Sequence, residues 1–118
     1  MKVNSNMSVL FWLYTQKADD SGKAPIYCRI TLAGIRTQFS TGKKVEAEYW
    51  IKDTTRVSKK SPNATAINED LETICGDLRR IYNQLTSVYK HVTGEMIKNV
   101  YTGKGQEKKT IMELFDLN

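Results

Sequence analysis

The sequence predicts an α+β fold, a three-stranded antiparallel sheet packed on a long helix, followed by a short helix and the start of a further helical domain. Three observations carry this reading. Strict apolar/polar alternation runs through residues 25–41, with a tight turn at Ala33-Gly34. An unbroken heptad stripe then runs from Ile67 to Val92. Finally, a hydrophilic stretch at 102–109 separates these elements from a new apolar run that begins at Ile111.

Residues 8–17 (SVLFWLYTQK) are aromatic-rich and apolar, as suits a first strand. Val9, Phe11 and Leu13 are one candidate core set, with Leu10, Trp12 and Tyr14 on the other face; a fully buried strand fits almost as well. Asp19-Asp20-Ser21-Gly22 is a turn. The second strand, 25–33, points Ile26, Cys28, Ile30 and Leu32 inward. The third, 35–41, points Ile35, Thr37, Phe39 and Thr41 inward, and Thr41-Gly42 ends it. Because the side-chain period is two, this leaves Tyr27, Arg29, Thr31, Arg36, Gln38 and Ser40 together on the opposite face.

After Lys43-Lys44-Val45, residues 46–50 form about one helical turn whose rings cover a core edge, and 51–61 form a basic loop. Ser61 is the expected N-cap of the long helix, with Pro62 at its first position. Ile67, Leu71, Ile74, Leu78, Ile81, Leu85, Val88 and Val92 follow at alternating spacings of four and three. A helix of ~28 residues would be ~42 Å long, more than one small sheet can cover. Its C-terminal half therefore needs another partner. Thr93 caps a short helix that bears Met96, Ile97, Val100 and Tyr101. Thr110 to Glu113 reads as a capping box, which opens a last helix with Ile111, Leu114, Phe115 and Leu117. The organisation expected is thus a sheet unit at 1–61, a helical unit at 62–101, and at 102–118 a linker with the first helix of a truncated domain.

Charge is distributed unevenly. Residues 1–61 hold eleven Lys/Arg and five Asp/Glu, whereas residues 62–118 hold seven and eight. The basic half is the sheet half, which points to a polyanion footprint there. A sheet face carrying arginine, amide, hydroxyl and aromatic groups suits the edges of duplex DNA, whose major groove admits a small β-structure. Trp12, Tyr14, Tyr27, Arg29, Thr31, Arg36, Gln38 and Ser40 are the candidate groove-face residues. Trp12 and Tyr14 have core packing as the alternative role. Lys43 and Lys44, with Lys17, Lys23, Arg56, Lys59 and Lys60, are candidate phosphate contacts.

Other chemistries find no support. The chain has one histidine, His91, and two cysteines, Cys28 and Cys75, in no metal-type spacing. Reduced thiols in a cytosolic protein are expected. No run of about 18 apolar residues exists to span a membrane, and the N-terminus lacks a signal-peptide cleavage site. No catalytic constellation, cofactor motif or small-molecule site is present in the sequence.

The order of these motifs resembles the N-terminal part of tyrosine recombinases of the conjugative-transposon integrase type, from Met7 to Leu117. The residues that carry the resemblance are API-YCRI at 24–30, FSTG at 39–42 with Tyr49-Trp50 downstream, Ser61-Pro62, Ile67-Asn68, EMIKN at 95–99 and TIMELF at 110–115. The resemblance implies an arm-type DNA-binding domain, a three-stranded sheet with a helix, in a bacterial, cytoplasmic protein that recombines a mobile element. It implies double-stranded DNA as partner, along with other integrase protomers. The family's catalytic arginine, lysine, H-x-x-R motif and nucleophilic tyrosine cannot be placed, since His91 is followed three residues later by Gly94. The fragment is therefore expected to bind DNA without cutting it. The alternative is a protein-interaction or dimerisation module working through the long heptad helix.

Overall fold

The computed structural model describes residues 7–103. Three strands, β1 (Ser8–Leu13), β2 (Lys23–Leu32) and β3 (Ile35–Glu46), form an antiparallel sheet in the order β1-β2-β3. A two-stranded hairpin follows, β4 (Trp50–Ile51) and β5 (Arg56–Val57), and then two helices, α1 (Ala64–Thr86) and α2 (Gly94–Thr102). The fold is the α+β arrangement expected. The sheet and helical units share one core, in which Phe11, Ile26, Ile30, Leu71, Leu78 and Ile97 are almost fully buried.

The alternation predicted for β2 is complete, with every even-numbered residue from Ala24 to Leu32 buried. The β1 register, which pairs Phe11 with Cys28 and Trp12 with Tyr27, buries Phe11 and turns Trp12 to the other face. Of the two readings of β1 the half-buried strand is the correct one. It is also shorter than expected, since residues 15–17 turn into a 3₁₀ segment.

The third strand does not stop at Thr41-Gly42. It runs on to Glu46 through an irregularity in which β2 advances from Pro25 to Tyr27 while β3 advances from Lys44 back to Ser40. Gly42 takes φ +82° there. The Thr41 hydroxyl donates to the Ile26 carbonyl at 2.7 Å and accepts from Lys43 N–H at 3.1 Å. A Thr-Gly pair can thus serve as a bulge instead of a terminus. Ile35 points inward by parity but lies at the hairpin tip, beyond the helices, and is 62% exposed.

The expected basic loop holds the β4–β5 hairpin. Asn68 of α1 secures it, accepting from Val57 N–H at 2.9 Å and donating to Val57 C=O at 3.0 Å. The 3₁₀ turn at Ala47–Tyr49 precedes it, with Tyr49 and Trp50 packed on the core edge as predicted.

Helix α1 begins two residues later than the expected first position at Pro62. The N-cap is Asn63, without a side-chain capping bond, and not Ser61 as expected; the Ser61 hydroxyl instead accepts from Asn63 N–H at 3.3 Å in the turn that leads in. The helix stops at Thr86, short of the ~28 residues that the heptad stripe suggested. Thr86 and Ser87 hydroxyls donate to the carbonyls of Asn83 and Gln84, and Val88 and Tyr89 N–H groups close on Leu85. Val88 is consequently 71% exposed. Chain reversal then brings α2 onto α1 and the sheet, where it buries Ile97. That is the partner that the C-terminal half of the long helix needed. Thr93 caps α2 as expected, accepting from Met96 N–H at 3.2 Å. The capping box at 110–113 and the helix expected after it lie outside the described residues.

Candidate nucleic-acid interface

With both helices on one side, the other face of the sheet is left uncovered by them. Strand register organises it into three rows: Ser8–Thr31–Arg36, Leu10–Arg29–Gln38 and Trp12–Tyr27–Ser40. Seven of the predicted groove-face residues therefore share one surface. Tyr14, the eighth, lies just past β1 and packs against the end of the last row.

That end is an aromatic triangle. Ring centroids of Trp12, Tyr14 and Tyr27 lie 4.9, 5.1 and 5.4 Å apart. Such tilted and edge-on contacts fix ring orientation beyond simple burial. The Trp12 and Tyr14 rings therefore pack with Tyr27 on the outer face instead of entering the core. Lys17 covers the triangle, with Nζ 5.0 Å from the Tyr14 centroid and 3.1 Å from the Tyr27 hydroxyl. The hydrogen bond to Tyr27, then its charge, raises the Lys17 pKa. A cation is thus held on this face with no acidic partner among the described residues. Single-stranded RNA stacking would need Tyr14 and Tyr27 exposed side by side. They are half-buried and edge to face, with Lys17 over them.

In the middle row, Arg29 Nε donates to Gln38 Oε1 at 3.2 Å. The Arg29 guanidinium carbon lies 5.6 Å from the Trp12 ring centroid, a cation–π distance. Arg36 and Gln38 are exposed, whereas Arg29 is half-buried.

The candidate phosphate contacts divide by side. Lys44 follows outer-face parity and bridges to Asp19 at 3.2 Å. Asp19 organises the 19–22 turn, accepting from Ser21 N–H, the Ser21 hydroxyl and Lys23 N–H. The Ser21 hydroxyl and Lys23 N–H, with Lys44, hold its carboxyl well below the usual carboxylate range. Lys43 has inner-face parity and pairs with Asp70 of α1 at 2.9 Å. Arg56 likewise turns to the helix side, with its guanidinium over Phe11 and bonded to Glu72. Neither Lys43 nor Arg56 joins the outer face. Lys59 and Lys60 are exposed beside the start of α1, away from the three rows.

Sequence reasoning found the residues of the face but not its pairings. Lys17 over the tyrosines, Arg29 with Gln38 and Lys43 with Asp70 all depend on register or tertiary contact. The helix stripe offered as an interaction surface is occupied, because Leu71, Ile74, Leu78, Ile81 and Leu85 are buried in the core. Cys28 and Cys75 are free thiols, and burial pushes Cys28 up to about 12. Among the described residues no group of acidic, His or Cys side chains is placed to hold a metal. No helix among them is long and apolar enough to cross a membrane.

A family model described as an arm DNA-binding domain matches residues 11–98. This span runs from Phe11 in β1 into α2, and so contains nearly all of the outer face. No curated protein and no solved structure matches the chain.

Proposed function

We propose that this chain, which belongs to the arm DNA-binding domain family, lays the outer face of its sheet in the major groove of duplex DNA. Domains of this type stand at the N-terminus of tyrosine recombinases and integrases, and the chain is a DNA-binding module. The observation that carries the finer reading is the shared face itself, where arginines, an amide, hydroxyls and a ring-held lysine line up opposite the helices. Phosphate contacts position a protein on the duplex, whereas base contacts specify the site. Lys17, Lys23 and Lys44 at the rim fit the first role, and Arg29, Arg36 and Gln38 fit the second. Thr31 and Ser40 supply hydroxyls between them.

In this reading the chain anchors a bacterial, cytoplasmic recombinase to arm sites that flank the exchange point of a mobile element. Other protomers assemble on the same DNA. Catalysis lies elsewhere in the parent protein, so the chain alone forms no covalent adduct with DNA through its tyrosines. A mobility-shift assay with terminal fragments of the element carrying the gene tests the assignment. Retention of those fragments over scrambled duplex supports arm-site binding. Equal retention of both reduces it to general DNA binding.

A further inference from the structure

The geometry points to Arg29 and Gln38 acting as one reading unit for guanine, with Gln38 as the positioning residue. This rests on the outer face being the DNA interface and goes beyond it by naming the base and dividing the roles.

Taken singly, glutamine is suited to adenine, donating to N7 and accepting from the N6 amino group. That requires both ends of the amide. Here the Gln38 oxygen already accepts from Arg29 Nε at 3.2 Å. The orientation is chemically forced, because a guanidinium has donors only and the atom facing it must be the amide oxygen. With its oxygen turned to Arg29 and one lone pair committed there, the group that Gln38 leaves fully free for a ligand is its NH₂, a donor.

Arg29 is restrained twice. Trp12 lies 5.6 Å from its guanidinium carbon, and Gln38 holds Nε. With Nε engaged, the two terminal nitrogens are left as a parallel pair of donors. Register places Gln38 directly across from Arg29, on β3, so the amide donor stands beside this pair. The combined unit is donor-rich, and its one acceptor atom is already engaged by Arg29 Nε. Guanine presents two acceptors, O6 and N7, at its major-groove edge, whereas adenine and cytosine each present an amino donor there. A donor-rich unit therefore favours guanine over adenine. Pre-set side-chain geometry also lowers the entropy lost on binding.

Selection of a randomised duplex library by the full chain tests this, with variants checked by thermal melting. The wild type should enrich a fixed guanine. Replacing that guanine by 7-deazaguanine, which lacks N7, should weaken binding of the wild type but not of Arg29→Ala. Arg29→Ala should lower the preference for guanine at that position by about five- to 150-fold. Gln38→Met keeps the stem but cannot accept from Nε, and it should weaken the same preference at the same position. Gln38→Glu keeps an acceptor for Nε but exchanges the amide donor for an acceptor, so it should keep the Arg29 contact to guanine while lowering affinity for all sequences and relaxing the discrimination against adenine. The inference is overturned if Gln38→Met erases an adenine preference elsewhere and leaves the guanine intact. It is equally overturned if Arg29→Ala changes no base preference while duplex binding persists. Absence of any duplex binding by the wild type would instead sink the interface itself, and the inference with it.

Discussion

Lys43 and Lys44 are neighbours in the chain but serve opposite sides of the sheet. Lys43 Nζ lies 2.9 Å from Asp70 on α1, whereas Lys44 Nζ lies 3.2 Å from Asp19 at the outer rim. The two should therefore separate on mutation. Lys44→Ala should lower affinity for every duplex and reduce the log–log salt slope by ~0.9, the loss of one phosphate contact. Lys43→Ala should leave the slope unchanged and cost at most ~1 kcal/mol of stability, as befits a half-exposed ion pair. Binding isotherms across a salt series decide between them. A slope change for Lys43→Ala alone would reverse the assignment of sides.

Two glycines should respond to alanine with opposite signs. A Cβ at Gly94 would stand 2.7 Å from the Thr37 hydroxyl, where the start of α2 meets the sheet. Gly94→Ala should destabilise by ~1–3 kcal/mol, as overpacking does. Gly76 is mid-helix with nothing within 4 Å of a new Cβ. Gly76→Ala should gain up to ~1 kcal/mol of helix propensity. Urea unfolding of both variants reads the difference, and equal signs would contradict the packing described for α2.

At the hairpin tip, Ala33 sits at φ +55°. The left-handed region costs a non-glycine residue ~1–2 kcal/mol, offset in part by the greater chain entropy of glycine. Ala33→Gly should therefore raise the melting temperature modestly. A fall would mean that the turn relaxes in solution.

Alkaline pH should weaken the fold through Cys28. Burial pushes its pKa up to about 12. The thiol stays neutral in the folded state while the unfolded chain ionises first. Stability is therefore full below the ordinary thiol range and falls as pH climbs toward that raised value. Tyr101, also raised by burial, acts with the same sign. Melts across this range should show the decline, and Cys28→Ala should flatten it although the variant starts less stable.

Where one face was buried and the other was not, the chain could be read directly. The alternation through Ile26, Cys28 and Ile30 named the core, and by parity it named Tyr27, Arg29 and Thr31 as the outer-face set. Features that depend on distant partners were hidden. Gly42 looks like a strand end until the Ile26 carbonyl is seen to receive the Thr41 hydroxyl. The heptad stripe looks continuous through Val88, but the reversal that seats α2 ends α1 at Thr86. Lys43 and Arg56 look like phosphate ligands until Asp70 and Glu72 are found opposite them.

Sequence discrimination should depend on the two outer-face arginines. Arg29→Ala and Arg36→Ala remove side chains from the helix-free face, so melting should change little. Each should lose ~1–3 kcal/mol of preference for specific over scrambled duplex if it meets a guanine edge. An equal fall in both affinities would mean phosphate contact only.

The outer face as the DNA-binding surface is tested most directly by side-chain resonances of ¹⁵N-labelled protein titrated with duplex. Trp12 lies on the outer face, and the backbone amides of α1, on the opposite side of the sheet, supply an internal comparison. Binding through this face should shift the Trp12 indole, the Arg29 Nε–H and the Gln38 amide signals together, while the amides of α1 hold still. Shifts confined to α1, with Arg29 and Gln38 unmoved, would contradict that binding face.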